Sequence, residues 1–363
     1  MPTDLLIRRA NIREIKFEDV ETIEELRPNQ LRLKIDQFAF TANNITYAAT
    51  GEMLKYWDFF PASDGWGKVP VWGFADVEQS NHPDITVGER IYGYFPLATH
   101  LIVDADRVSP YGFRDGAAHR QHLNGVYNQY VRTTNTPGFA PEIEHLNALL
   151  RPLFTTSFLI DDFLYDNGFF DAEAVVISSA SSKTAFGTAF QLHANREARG
   201  SDVQVIGLTS AGNVAFVEGL GCYDRVVAYE DVEADISAET TIAYIDIAGN
   251  GKLRSRVHHH FTDNIKYSGA VGASHWETPP WGRGLPGIQP TFFFAPSQVQ
   301  KRNRDWGRQQ FQQRLAAAWL NFLKLASGAI KINVRTGQDA VAETYTQMLE
   351  GRSNPSDAFI LSL

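Results

Sequence analysis

Along the first 110 or so residues, apolar positions alternate with polar ones. In "LRLKIDQFAF", Leu31, Leu33 and Ile35 recur every second residue, the period of a half-buried strand. "ERIYGYFP" and "ATHLIVDADRVSP" read as two further short strands set off by Gly and Pro, so this part is expected to form a small β-rich, barrel-like domain. From about residue 142 the period lengthens. "PEIEHLNALLRPLFTTSFLIDDFLYDNGFF" carries apolar residues three and four apart and predicts a helix that stops near Asn167-Gly168. After it, strands and helices alternate. The expected strands are "EAVVISS", "DVQVIGLTS", "RVVAYED", "TIAYIDIAG", "SGAVGAS" and "TFFFAPS". Between the first two, Phe186, Phe190 and Ala194 lie at helical spacing, with Gly200 as the C-terminal stop. Strand, helix, strand at this spacing predicts an α/β, doubly wound parallel sheet. "RQQFQQRLAAAWLNFLKLASG", from about 308, is an amphipathic helix; "AVAETYTQMLEG" and "DAFILSL" add a shorter helix and a last strand.

With 363 residues, 44% of them hydrophobic and 12% aromatic, the chain has material for two cores. A net charge of -9 argues against a broad basic surface for nucleic acid and points to a small-molecule partner. Cys222 is the single cysteine, which excludes an intrachain disulfide or a four-thiolate zinc site and fits a reducing, cytoplasmic setting. No apolar run behind a basic start and no uninterrupted run of about 18 apolar residues is present, so neither a signal peptide nor a membrane span is expected.

"ISSASSKTAFGTAFQLHA", residues 177 to 194, places a strand directly before a helix, where nucleotide phosphates often sit. Glycines usually give such a turn its tight bend and close approach to a pyrophosphate. Here Ser179, Ser182, Lys183 and Ala185 stand at the glycine positions, with Ser181 and Thr184 among them. Small serines still allow close packing, and their hydroxyls donate to phosphate. Lys183 opposes the dipole of its own helix, which favours an anionic partner. The plain alternative is a strand-to-helix connection capped by Ser181 or Ser182. A P-loop is a poor match, because Ile177 and Ser182 occupy the sites of its glycines. At the end of the next strand, Thr209, Ser210 and Asn213 appear without an acid to hold a ribose 2'-hydroxyl, which favours NADP over NAD. No arginine stands beside Ser210, so Lys183 is the candidate charge.

The order of a β-rich part, a doubly wound middle and a returning tail, together with three degenerate motifs, resembles the medium-chain dehydrogenase/reductase superfamily. The motifs are "FTANNITYAATG" (40 to 51), "VWGFADVEQSNHPDITVGERIYGYFP" (71 to 96) and "VVISSASSKTAFGTAFQL" (175 to 192). The chain is most similar to the zinc-free, quinone-reductase-like branch, as a divergent member. The resemblance implies a GroES-like barrel domain from 1–150 with 322–363, a Rossmann domain from 151–321, and a homodimer. It also implies that Tyr47 faces the nicotinamide as proton donor, with Asn43 and Thr46 orienting substrate or ribose. The residue-level alternative is that Tyr47 packs in the core of a strand pair and Asn43 and Asn44 make a turn. "DIAGN" and "GAVGAS" resemble later strand ends that bind the nicotinamide half, bringing in Ala248, Gly249, Val271 and Gly272.

Where zinc-bearing relatives carry a ligand, this chain has "GFAD", and Phe74 cannot bind a metal. His119 and His122, three apart, lack further ligands nearby, and His258 to His260 read as a solvated helix face or loop. Trp276 and Trp281, in "HWETPPWGRG", suit either a pocket wall or a partner contact, and residues 112 to 133 read as an insertion. The expected activity is a zinc-independent NADPH-dependent reduction of an activated alkene or carbonyl, of the quinone, enone or enoyl-thioester type. The alternative is an NADP-binding protein with little or no turnover, acting as sensor or assembly component.

Overall fold

The computed structural model describes residues 2–21, 24–136, 138–247, 249–271 and 284–363. Two compact units divide the chain: Met1–Pro152 with Ile330–Leu363, and Leu153–Ala329. Along the first segment run β1 (Thr3–Arg8), β2 (Ile15–Asp19), β3 (Gln30–Phe40), helix α1 (Ala42–Ala49), β4 (Trp66–Gly67), β5 (Pro70–Ser80), β6 (Arg90–Pro96), β7 (His100–Ser109), β8 (Gly112–Asp115) and β9 (Gln129–Arg132). Helix α2 (Glu144–Asp166) holds Pro152, where the chain passes into the second unit. It stops at the expected place, where Gly168 takes a φ of +58°.

The second unit continues with β10 (Ala174–Ile177), α3 (Lys183–Arg199), β11 (Gln204–Thr209), α4 (Val214–Gly219), β12 (Arg225–Ala228), α5 (Val232–Asp235), β13 (Ile242–Asp246), α6 (Gly251–Phe261), β14 (Ile265–Ala270), β15 (Thr291–Phe292), α7 (Ala295–Asp305) and α8 (Arg308–Ala329). Then β16 (Lys331–Thr336), α9 (Gln338–Leu349) and β17 (Asp357–Ser362) return to the first unit.

In the first unit, strands pair in the order β16-β17-β3-β5-β6-β9-β8-β7, and β3 also pairs with β7. That extra pairing, along Gln30 to Lys34, closes β3, β5, β6, β9, β8 and β7 into a barrel, and β17 pairs with the far end of β3 at Phe38 to Phe40. Leu31, Leu33 and Ile35 point inward from β3, as their alternation predicts. Residues 112 to 133, expected as an insertion, build two strands of this barrel. They are anchored by Arg120, which is 1% exposed and donates to Asp115, Asn128 and Tyr130 at 2.8, 2.8 and 2.9 Å.

In the second unit, β12-β11-β10-β13-β14-β15 form a six-stranded sheet whose pairings are all parallel. Val176, Ile206, Leu208, Val227, Tyr244, Val257 and Phe261 make one core cluster against it. The parallel doubly wound sheet and the barrel both follow the sequence pattern. Three details differ. "TFFFAPS" yields only a two-residue strand, because Ala295 and Pro296 start helix α7. Neither α7 nor the edge strand β16 is legible beforehand, β16 being exposed or half-exposed throughout. The return expected at 322 falls inside α8, where Phe322 stacks on Phe154 at 4.6 Å and meets Phe186 at 5.0 Å, so the second unit extends to Ala329.

Candidate functional site

The turn after β10 is built around Ser179, whose φ of +53° lies in the left-handed region that glycine adopts freely and other residues do not. The Ser182 amide donates to the Ser179 carbonyl at 2.8 Å and closes the bend. Ser182 is then the N-cap of α3: its hydroxyl accepts from the Ala185 amide at 3.3 Å, leaving its own proton free to donate. Lys183 and Thr184 open the helix, and the Thr184 carbonyl accepts from the Ser157 hydroxyl at 2.7 Å. Against β11 the turn packs closely: a Cβ on Gly207 would come within 2.8 Å of the Ala180 side chain. The Ala180 amide donates to the Leu208 carbonyl, and the Tyr223 hydroxyl donates to the Ala180 carbonyl.

Just past the end of β11, the Asn213 side chain donates through Nδ2 to the Ser181 hydroxyl at 3.3 Å, joining the second group of expected residues to the first. Thr209 is fully buried there, and its hydroxyl has no hydrogen-bond partner. Ser210, next along, is exposed and precedes a short helical turn without capping it through its side chain. The third group meets at β13. Asp246 accepts from the Ser178 hydroxyl at 2.8 Å and the Gly249 amide at 2.9 Å, while its carbonyl accepts from the Val271 amide at 2.9 Å. Ser181, Thr209, Gly249 and Val271 therefore belong to one edge of the second unit, the carboxyl ends of the parallel strands, where α/β sheets bind ligands. Ala248, Gly272, Trp276 and Trp281 lie outside the described residues.

In the first unit, Asn43, Thr46 and Tyr47 lie on helix α1 rather than on a strand or turn. A reciprocal cap makes the helix: the Thr41 hydroxyl accepts from the Asn43 amide, and the Asn44 side chain accepts from the Thr41 amide at 2.8 Å. Asn44 also donates to the Pro70 carbonyl, so it is committed to structure. The Thr46 carbonyl accepts from the Thr50 hydroxyl at 2.7 Å. Tyr47 is 6% exposed, with ring centroids of Tyr56 and Tyr94 at 4.4 and 5.8 Å. Burial pushes the pKa of its hydroxyl up, while hydrogen bonds with the Asn43, Trp72 and Tyr94 side chains pull it down; the net shift is upward, towards a weaker acid.

The sequence profile of the family described as "Protein of unknown function (DUF2855)" matches residues 38–354. The chain belongs to the DUF2855 family. No curated protein sequence matches it. Among solved structures, this DUF2855 chain is similar to CurA from Vibrio vulnificus in complex with NADPH, at 12% identity and a TM-score of 0.62, over 99% of this chain and 98% of that one. It is also similar to the yhdH oxidoreductase from Salmonella enterica in complex with NADP, at 13% identity and a TM-score of 0.56, over 99% of both chains. A third is a mutant form of enoyl thioester reductase from Candida tropicalis, at 11% identity and a TM-score of 0.57, over 100% of this chain and 99% of that one. Likeness at this level is likeness of fold.

The histidines of the DUF2855 chain have specific partners, and one departs from the sequence reading. His258 is not on a solvated face: it is fully buried, one ring nitrogen 3.0 Å from the Ser268 hydroxyl and the other 3.1 Å from the Pro286 carbonyl. His119 and His122 have separate partners, the Phe59 carbonyl and Asp58. Among the described residues no three His, Cys, Asp or Glu side chains are placed to hold a metal. Asp246, Arg254, Trp72 and Tyr94 were not expected at all. The signal for the last two was present: aromatics two apart in "VWGF" and "IYGYF" put Trp72, Phe74, Tyr92 and Tyr94 on one face of paired strands, with Trp72 opposite Tyr94.

Proposed function

We propose that this DUF2855 protein is a zinc-independent, NADPH-dependent reductase acting on an activated alkene or carbonyl of quinone, enone or enoyl-thioester type. The serine turn carries the reading. Ser179 holds the left-handed backbone of a dinucleotide turn, and Ser181 and Ser182 offer hydroxyls beside the N-terminus of a 17-residue helix. The buried Thr209 hydroxyl, without a partner, supports a ligand at the end of β11. These residues fit a dinucleotide. Ser179, Ser181, Ser182, Lys183 and Thr184 would hold its pyrophosphate, and Thr209, Ser210 and Asn213 its 2'-phosphorylated ribose. The segment with Ala248, Gly249, Val271 and Gly272 would hold the nicotinamide half. Two structural neighbours solved in complex with NADPH and with NADP point the same way.

When bound, the reduced cofactor supplies a hydride. This chain supplies the proton, from the Tyr47 hydroxyl, which burial keeps protonated at neutral pH. Asn43 beside it and Thr46 on the same helix orient the substrate. A cytoplasmic homodimer is part of the same proposal.

The test is a titration of dialysed protein with NADPH and separately with NADH, followed by tryptophan fluorescence and repeated with Lys183→Ala. Micromolar NADPH binding, weaker NADH binding and a weakened Lys183→Ala variant are expected, followed by turnover with quinones or enones. No binding of either nucleotide would overturn the reading. Binding without turnover would leave a nucleotide sensor in place of a reductase.

A further inference from the structure

Asp246, the last residue of β13, touches three strand ends. Its carboxylate accepts from Ser178, just past β10, and its backbone lies opposite Ala270 of β14. The Ser178 hydroxyl is committed in both directions. It donates to Asp246 at 2.8 Å, since a carboxylate only accepts, and it accepts from the Ile247 amide at 3.0 Å. Gly249, at a φ of +68°, donates its amide to the same carboxylate oxygen. A closed set of hydrogen bonds therefore crosses from β10 to the chain leaving β13. The crossing has a particular place in the sheet. From β10 the chain runs outward to β11 and β12, then returns to β13, β14 and β15 on the other side, so the strand order reverses between β10 and β13. In open α/β sheets ligands bind in the crevice at that reversal.

Stability does not account for an ion pair at this point. Arg254 and Asp246 are 1% and 2% exposed, and apolar side chains of like volume commonly match or better a buried pair of that kind. Apolar groups cannot, however, take the Ser178 hydroxyl, the Gly249 amide and the Arg254 guanidinium at once, as this carboxylate does. Arg254 in turn balances a charge that would otherwise oppose phosphates held at the neighbouring turn. Resting on the dinucleotide reading of this edge and deepening it, we propose that Asp246, held by Arg254, is a positioning residue. It sets the spacing between the serine turn, which takes the pyrophosphate, and Gly249 with Val271, which take the nicotinamide half. It acts through these neighbours rather than by touching the cofactor. A ligand that spans both halves then meets a site already ordered and loses less freedom on binding.

The experiment compares a ligand that spans both halves with one that does not: NADPH, and 2'-phospho-ADP-ribose, which lacks the nicotinamide. Both are titrated by calorimetry into the full chain for wild type, Ser178→Ala and the double substitution Asp246→Leu with Arg254→Leu, with thermal melts alongside. The serine change removes the bridge and leaves the ion pair, while the double change removes the carboxylate without stranding a buried charge. Each should weaken NADPH binding at least fivefold and leave the fragment within about twofold of wild type. A merely structural defect loosens the turn as well and weakens both ligands alike. Folded variants that bind NADPH like wild type, or that lose both ligands equally, would overturn the positioning role and leave the dinucleotide reading standing. No binding of either ligand by wild type would sink that reading, and this inference with it.

Discussion

Asp246 accepts from the Arg254 guanidinium, Nε to Oδ2 at 2.7 Å, with the two side chains 2% and 1% exposed. The other carboxylate oxygen takes the Ser178 hydroxyl and the Gly249 amide, so one buried ion pair ties the end of β10 to the segment after β13. Removing one partner of such a pair leaves a buried charge and costs about 3–5 kcal/mol, whereas replacing both with apolar groups costs far less. Asp246→Ala and Arg254→Met should each lose about that much stability in urea unfolding. The double substitution Asp246→Leu with Arg254→Leu should lose less than the sum of the two.

Ser179 holds a left-handed backbone at a cost that glycine does not incur. Ser179→Gly should therefore gain about 1 kcal/mol of stability, and Ser179→Val should lose more than that, because a β-branched residue is strained at positive φ. Thermal melts of the two variants decide it. A loss of stability in Ser179→Gly would mean that the side-chain contact with Tyr229 outweighs the strain.

The Thr209 hydroxyl is buried without a partner, so Thr209→Val keeps the shape and removes an unsatisfied group. Its free form should be as stable as wild type or up to about 1 kcal/mol more so. If that hydroxyl awaits the cofactor ribose, NADPH binding should weaken severalfold, as a fluorescence titration would show.

His258 carries a lowered pKa, first because of burial and then because of the nearby Arg254. The folded state therefore binds its proton less readily than the unfolded state does, and stability rises with pH across that window. The contribution is complete above the ordinary value of 6.5 and is lost as pH falls below it towards the depressed folded value. Between pH 7.5 and pH 5, the melting temperature of His258→Gln should fall less than that of wild type.

Most strands of the second unit and its long helices α3 and α8 were legible because apolar runs there keep one period each and are punctuated by residues such as Gly168 and Gly200, both at positive φ; the shorter helices α4 to α7 were not. The serine turn was legible as a position, since strand and helix leave it only one place to be. Its geometry was not: nothing in "SSASSKT" says that Ser179, rather than a glycine, takes the strained conformation. His258 was misread because periodicity within "HHH" is invisible, and only the packing of α6 on β14 distinguishes the buried ring from its exposed neighbour His259. Trp72 and Tyr94 were missed although alternation gives each strand its aromatic face, because the register that sets β5 against β6 cannot be read from either strand alone.

Strand β17 lies between β16 and β3, with Phe359 opposite Phe40, and the Tyr345 hydroxyl of α9 donates to the Ile12 carbonyl at 2.7 Å. During synthesis on a ribosome, β3 emerges first and the strand that covers part of its edge emerges only after the second unit. Every residue of the second unit is made in between. The second unit is thus free to fold while the first is still incomplete, reversing the usual order in which the N-terminal domain forms first. Through that interval the edge at Phe38, Ala39 and Phe40 stays open to any passing strand, which makes translation speed and chaperone access part of what this architecture demands of the cell.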